Sequence, residues 1–135
     1  MRVEKRLAAQ SCGALLFLGG LAYAALIHRL PVAAAAVYLT ASLLTLLFYG
    51  LDKSAAKKGS WRIRERTLHI FALAGGWPGA MVGQGLFHHK TQKRSFRALF
   101  WITVILNLSG LGFFLYPDRF QATLDIIEKQ ISRLM

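Results

Sequence analysis

Four runs of about twenty residues contain no Asp, Glu, Lys or Arg: Leu7 to His28, Leu30 to Leu51, Thr67 to His89, and Ala98 to Pro117. Each has roughly the 20-residue length that carries a helix through the hydrocarbon core of a bilayer. Lipid cannot hydrogen-bond to a backbone, so runs of this length must satisfy their own N–H and C=O groups, which a helix does. Composition agrees. The chain is 55% hydrophobic, yet 17 Lys plus Arg against 6 Asp plus Glu give it a net charge of +11. A soluble domain of 135 residues has too little interior to hide that much apolar surface. A disordered chain would lack the apolar content, and the lone Cys12 excludes a disulfide scaffold. The expected fold class is therefore all-α. It comprises an integral membrane helical protein with three spanning helices, a re-entrant or kinked helix broken by glycine and proline, and a C-terminal amphipathic helix.

The number three follows from charge. Cytoplasmic connections are enriched in Lys and Arg. The N-terminus holds three cations, the first connection one (Arg29), the second six (Lys53, Lys57, Lys58, Arg62, Arg64, Arg66), the third four (Lys90, Lys93, Arg94, Arg97) and the tail three. Four full spans would place the two basic blocks on opposite sides of the membrane. A third run that enters and returns keeps both inside. Its sequence permits that: Gly75, Gly76 and Gly79 allow unusual dihedrals, and Pro78 disfavours helical geometry at Trp77. Pro78 can also open a second half-helix, where its missing donor costs little. The competing expectation is one kinked spanning helix, with Gly75, Gly79 and Gly83 as a small-residue packing stripe. The organisation expected is a two-helix membrane platform over 1–51, a unit over 52–116 holding the basic loops, the GGWPG segment and the last membrane helix, and an amphipathic tail over 117–135. The first run follows a basic n-region and contains Ala22-Tyr23-Ala24, which resembles a signal-peptidase site, but its apolar stretch is longer than a signal core. A retained helix is expected.

Polar residues in the runs are few. Asn107, near the middle of the last, is expected to hydrogen-bond to another helix. No Asp, Glu, Lys or Arg lies within the runs, which argues against a proton-coupled pump. Asp52, at a boundary rich in cations, is expected to pair with Arg62 or Arg64. The candidate anion-binding residues are Lys53, Arg62, Arg64, Lys90, Lys93, Arg94 and Arg97, whose cations would face phosphate groups. Glu65, His69 and His89 are the candidate acid–base groups, and with His88 they would form a composite site if a hairpin joined the two ends of the third run. One histidine pair without Cys or carboxylate supplies too few ligands for a metal, so no metal or cofactor is expected. GGWPG lacks the GK[ST] ending of a phosphate loop. In the tail, Phe120, Leu124, Ile127, Ile131 and Leu134 make a helical stripe suited to a membrane surface or a sister subunit.

From Asp52 to Phe96 the sequence resembles a bacterial family of small membrane proteins known only as a domain of unknown function, some members of which carry a cold-shock domain ahead of it. The resemblance lies in Asp52-Lys53 with Ala56, Arg62-Ile63 with Glu65, Leu68-His69, GGWPG, and His89-Lys90-Thr91 with Lys93 and Phe96. It implies that the basic, broken-helix unit is the shared module and the first two runs its platform. No activity is carried over. With a membrane run so close to Met1 no cold-shock domain is expected, and nucleic acid as a partner would rest on the basic face alone.

The expected function is a multi-pass protein of the bacterial cytoplasmic (inner) membrane whose basic face binds anionic lipid or another phosphate-bearing partner, with room for homo-oligomers. The alternatives are a membrane enzyme acting on a phosphate-containing lipid or intermediate, and a small oligomeric channel lined by the glycine-rich break.

Overall fold

The computed structural model describes residues 1–87 and 93–135. They are all-α. The chain runs as α1 (Arg2–Leu26), α2 (Val32–Lys58), α3 (Glu65–Phe71), a π-helical turn (Ala72–Gly76), α4 (Trp77–Phe87), α5 (Arg94–Leu115) and α6 (Pro117–Leu134). By length and composition α1, α2 and α5 are long and apolar enough to cross a membrane. Their 25, 27 and 22 residues correspond to about 33–40 Å at 1.5 Å per residue. At most 28% of the apolar window of any of them is buried inside the chain, so most of their Leu, Ile, Val and Phe side chains face outward.

Contacts along α2 show how the broken helix between Glu65 and Phe87 runs. Just before α3, the Ile63 backbone N–H donates to Asp52 Oδ1 at 2.9 Å, two turns from the end of α2. Phe71 packs on Phe48 with ring centroids 4.7 Å apart, and Gly75 lies against the Tyr38 ring. Beyond Gly75 the order inverts. Gly79 rests on the Ser42 backbone, Gly83 on Tyr49, and the Phe87 ring meets Gly50 and sits 5.6 Å from the Lys53 ammonium. The chain thus runs down α2 from Asp52 to Tyr38, about 21 Å of helix, and climbs back. Gly75 makes the reversal with φ 113° and ψ 0°, which L side chains rarely adopt. Pro78 takes the second position of α4, where its missing N–H costs little. Its expected effect on Trp77 is not met, because Trp77 is helical at φ −58°, ψ −34° and the break belongs to Gly75.

Glycine also sets the packing distance. A Cβ on Gly79 would collide with the carbonyl of Ser42, so the two backbones touch there. A Cβ on Gly83 would stand 2.9 Å from that of Tyr49. The small-residue stripe and the reversal, framed as alternatives in the sequence, coexist in one element.

Helices α1 and α5 flank the broken helix. Ser11 Oγ donates to the Met81 carbonyl at 3.3 Å, and Phe17 packs on Trp77 with centroids 4.6 Å apart. On α5, Phe96 packs on His69 and Asn107 reaches Tyr38. The start of α1, the end of α2, the outer ends of α3 and α4, and the start of α5 therefore share one end of the bundle. The residues just after Leu51, expected to open a basic loop, are still helical. α2 continues unbroken through Lys58 and ends at Gly59, whose φ of 66° gives the left-handed cap. α6 buries no residue, and its Phe120 meets Phe113 of α5 edge-on at 5.3 Å.

Candidate anion-binding face

The shared end of the bundle collects cations from four segments. Arg2, Lys5 and Arg6 come from α1, Lys53, Lys57 and Lys58 from α2, Arg62, Arg64 and Arg66 from the approach to α3 and its first turn, and Lys93, Arg94 and Arg97 from the start of α5. Three carboxylates accompany them, each engaged. Glu4 lies 3.9 Å from the terminal ammonium. Glu65 pairs with Lys93 at 3.1 Å, joining α3 to α5. Asp52 is fully buried, accepts the Ile63 N–H and lies 3.8 Å from Arg62 Nη2. Its pairing with Arg62 matches the expectation. A buried carboxylate requires such partners, and here they anchor the start of the broken helix to α2.

The expected site residues separate by role. Lys53 lies over the Phe87 ring, where cation–π attraction and the apolar stem both serve packing. Arg62 serves Asp52, Arg64 occupies the N-cap position of α3, and Lys93 serves Glu65. Arg94 and Arg97 line a cavity of about 290 Å³ with Arg6, Leu7, Gln10, Gln84, Ala98, Phe100 and Trp101. Arg6, Gln10 and Gln84 were not among the expected ligands. Their signal was present in the sequence: Arg6 and Gln10 are one helical turn apart on one face, and Gln84 is the polar exception in the apolar stretch from Ile70 to Phe87. Gln84 is buried and donates through Nε2 to Tyr49 Oη at 3.2 Å.

Glu65 and His69 share a neighbouring groove of about 320 Å³ with Arg66, Ser95, Phe96, Leu99 and Thr103. The carboxylate of Glu65 is taken by Lys93, and the His69 ring stacks on Phe96 with centroids 4.5 Å apart. His88, His89 and Lys90, the other members of the expected sites, lie outside the described residues. Among the described residues, no three His, Cys, Asp or Glu side chains gather as a metal site.

At the deep end, Asn107 binds the reversal together. Its Oδ1 accepts from Tyr38 Oη at 2.5 Å and Trp77 Nε1 at 3.2 Å, and its Nδ2 donates to the Leu73 carbonyl at 2.7 Å. One amide on α5 thus contacts α2, the π-helical turn and α4, meeting the interhelical role expected of it. Gly75 and Gly76 are buried in this packing.

Three apolar helices long enough to cross a bilayer, a broken helix folded between them and a cationic end make this an all-α protein with three candidate membrane helices. The chain belongs to the family described as a protein of unknown function, DUF1294, whose profile matches residues 42–96. It is 31% identical over 71 residues to the uncharacterized protein YsdA of Bacillus subtilis (strain 168), covering 53% of this chain and 78% of YsdA. No solved structure gives a significant match. The matched segment begins in the middle of α2, includes Asp52, the whole broken helix and GGWPG, and ends at Phe96.

Proposed function

We propose that this protein resides in the bacterial cytoplasmic (inner) membrane, where α1, α2 and α5 span the bilayer and the segment from Glu65 to Phe87 is re-entrant. Its cationic end faces the cytoplasm and binds anionic lipid or another phosphate-bearing partner. The observation that carries this reading is the ordered set of contacts along α2, which returns Phe87 to the level at which Ile63 began. With that return, cations on either side of the broken helix meet on one surface, as the enrichment of positive charge in cytoplasmic connections requires. The reversal is covered by Tyr38, Trp77 and Asn107, which supports burial of non-helical backbone at membrane depth. α6 then lies on the outer side, where its apolar stripe suits the membrane surface or a second copy of the chain.

Phosphate contacts made by several cations weaken steeply with salt. The purified full-length protein is expected to lose association with anionic liposomes or short polyanions as ionic strength rises. Replacing Lys90, Lys93, Arg94 and Arg97 together by Gln should weaken binding at every salt concentration. Binding indifferent to ionic strength would contradict the proposal.

A further inference from the structure

The geometry points to a discrete site for the phosphomonoester headgroup of a lipid in the cavity between α1, α4 and α5, with Arg6, Arg94 and Arg97 as its cations. This inference rests on the proposed membrane orientation and goes further, because a diffuse basic face attracts any anionic headgroup whereas this cavity selects among them. The first support is charge balance. Three arginines line one cavity of about 290 Å³, and none of them makes an ion pair among the described residues. Glu4, Asp52 and Glu65 are each held elsewhere, by the amino terminus, by Arg62 with the Ile63 N–H, and by Lys93. A cluster of like charges without a protein counter-charge is stabilised by a bound anion.

The cavity's shape and chemistry narrow the ligand. Gln10 and the buried Gln84 share the lining with the arginines, and the hydrogen bond of Gln84 to Tyr49 fixes that amide in place. The remaining wall is apolar: Leu7 and Phe100 are buried, and Trp101 lies half out of the bundle at 42% exposure. A small water-soluble anion gains nothing from such a wall. A lipid sets its phosphate among the arginines and the upper part of its chains against Trp101, which suits an aromatic ring at the membrane interface. The guanidinium fork matches two phosphate oxygens at once. A phosphodiester has one charge and two free oxygens, too few for three forks. A phosphomonoester carries about −1.5 to −2 charge near neutral pH and three free oxygens, and can engage all three.

The test uses the full-length protein in non-ionic detergent, titrated separately with dioleoyl phosphatidic acid and dioleoyl phosphatidylglycerol, with bound lipid counted by native mass spectrometry. The expected result is about tenfold tighter retention of phosphatidic acid, the size of one extra charge-assisted hydrogen bond. Arg6→Gln combined with Arg97→Gln should bring the two lipids within about twofold of each other. Lys57→Gln with Lys58→Gln, at the same end but outside the cavity, should leave the preference intact. Equal retention of both lipids by the unmodified protein overturns the discrete site and leaves the basic face standing; retention of neither overturns both. Displacement of phosphatidic acid by millimolar inorganic phosphate would assign the cavity to a soluble phosphate and overturn the lipid assignment. The headgroup comparison and the phosphate competition use the unmodified chain, so they decide the matter even if a substitution disturbs folding.

Discussion

Helices α4 and α6 invert the usual relation between sequence pattern and burial. α6 carries the clear apolar stripe of Phe120, Leu124, Ile127, Ile131 and Leu134, yet buries none of its residues within the chain. α4 has no such stripe and three glycines in eleven residues, yet buries Trp77, Pro78, Gly79, Ala80, Met81, Gly83 and Gln84. In water, an apolar stripe marks the face that seeks the core. In lipid the surroundings are already apolar, and close contact comes from small residues that let backbones touch and from polar groups that find partners. α4 follows the second rule, whereas the stripe of α6 is left unburied by the chain; under the proposed orientation these are one helix held inside a bilayer and another lying at its surface.

Substitutions can break this contrast. Gly79→Leu should have the largest effect, because its side chain meets the Ser42 backbone rather than a flexible neighbour. We expect a loss of about 3 kcal/mol or more, seen as failure to yield a monodisperse protein or as a collapsed thermal midpoint in detergent. Asp52→Ala comes next. It removes the buried acceptor of the Ile63 N–H and the partner of Arg62, and should cost about 2–3 kcal/mol, with protease cleavage after Arg62 or Arg64 accelerated as the start of the broken helix detaches. Asn107→Leu keeps the volume apolar but leaves Tyr38, Trp77 and the Leu73 carbonyl without this partner. Interhelical hydrogen bonds in membranes average about 0.6 kcal/mol, so the loss should be about 1–2 kcal/mol, accompanied by a change in Trp77 fluorescence. Ile127→Ser on α6 should be smallest, within about 0.5 kcal/mol of the unmodified protein in thermal stability. It should nonetheless weaken the binding of a peptide of residues 117–135 to vesicles, separating stripe from core.

Much of this was legible because charge and glycine are read without knowing tertiary contacts. The absence of charged residues located the long helices, and the GGWPG cluster located the break. An amide amid apolar residues identified Asn107 as a cross-link, and a lone acid among cations foretold the pair of Asp52 with Arg62. The exact device of the break was less legible: proline drew attention to Trp77, whereas the unusual dihedral belongs to Gly75. The end of α2 was obscured because charged residues suggested a loop, although Lys and Ala favour helix and Gly59 supplies the stop. The arginine cavity was least legible. Arg6, Gln84 and Arg97 are far apart in sequence and meet only once α4 has climbed back between α1 and α5. Nothing local in any one of them signals the other two.

The re-entrant path of the third run is the claim on which the rest depends, and side-specific thiol labelling in whole cells tests it directly. In a Cys12→Ser background, Ser95→Cys and Ser132→Cys are introduced one at a time and exposed to a membrane-impermeant maleimide before and after permeabilisation. The account predicts that the Ser132→Cys protein is labelled in intact cells, whereas the Ser95→Cys protein is labelled only once the cytoplasmic face is opened. The reverse pattern, with Ser95→Cys labelled in intact cells and Ser132→Cys only after permeabilisation, is what a segment that crosses the membrane would give, and would contradict the account.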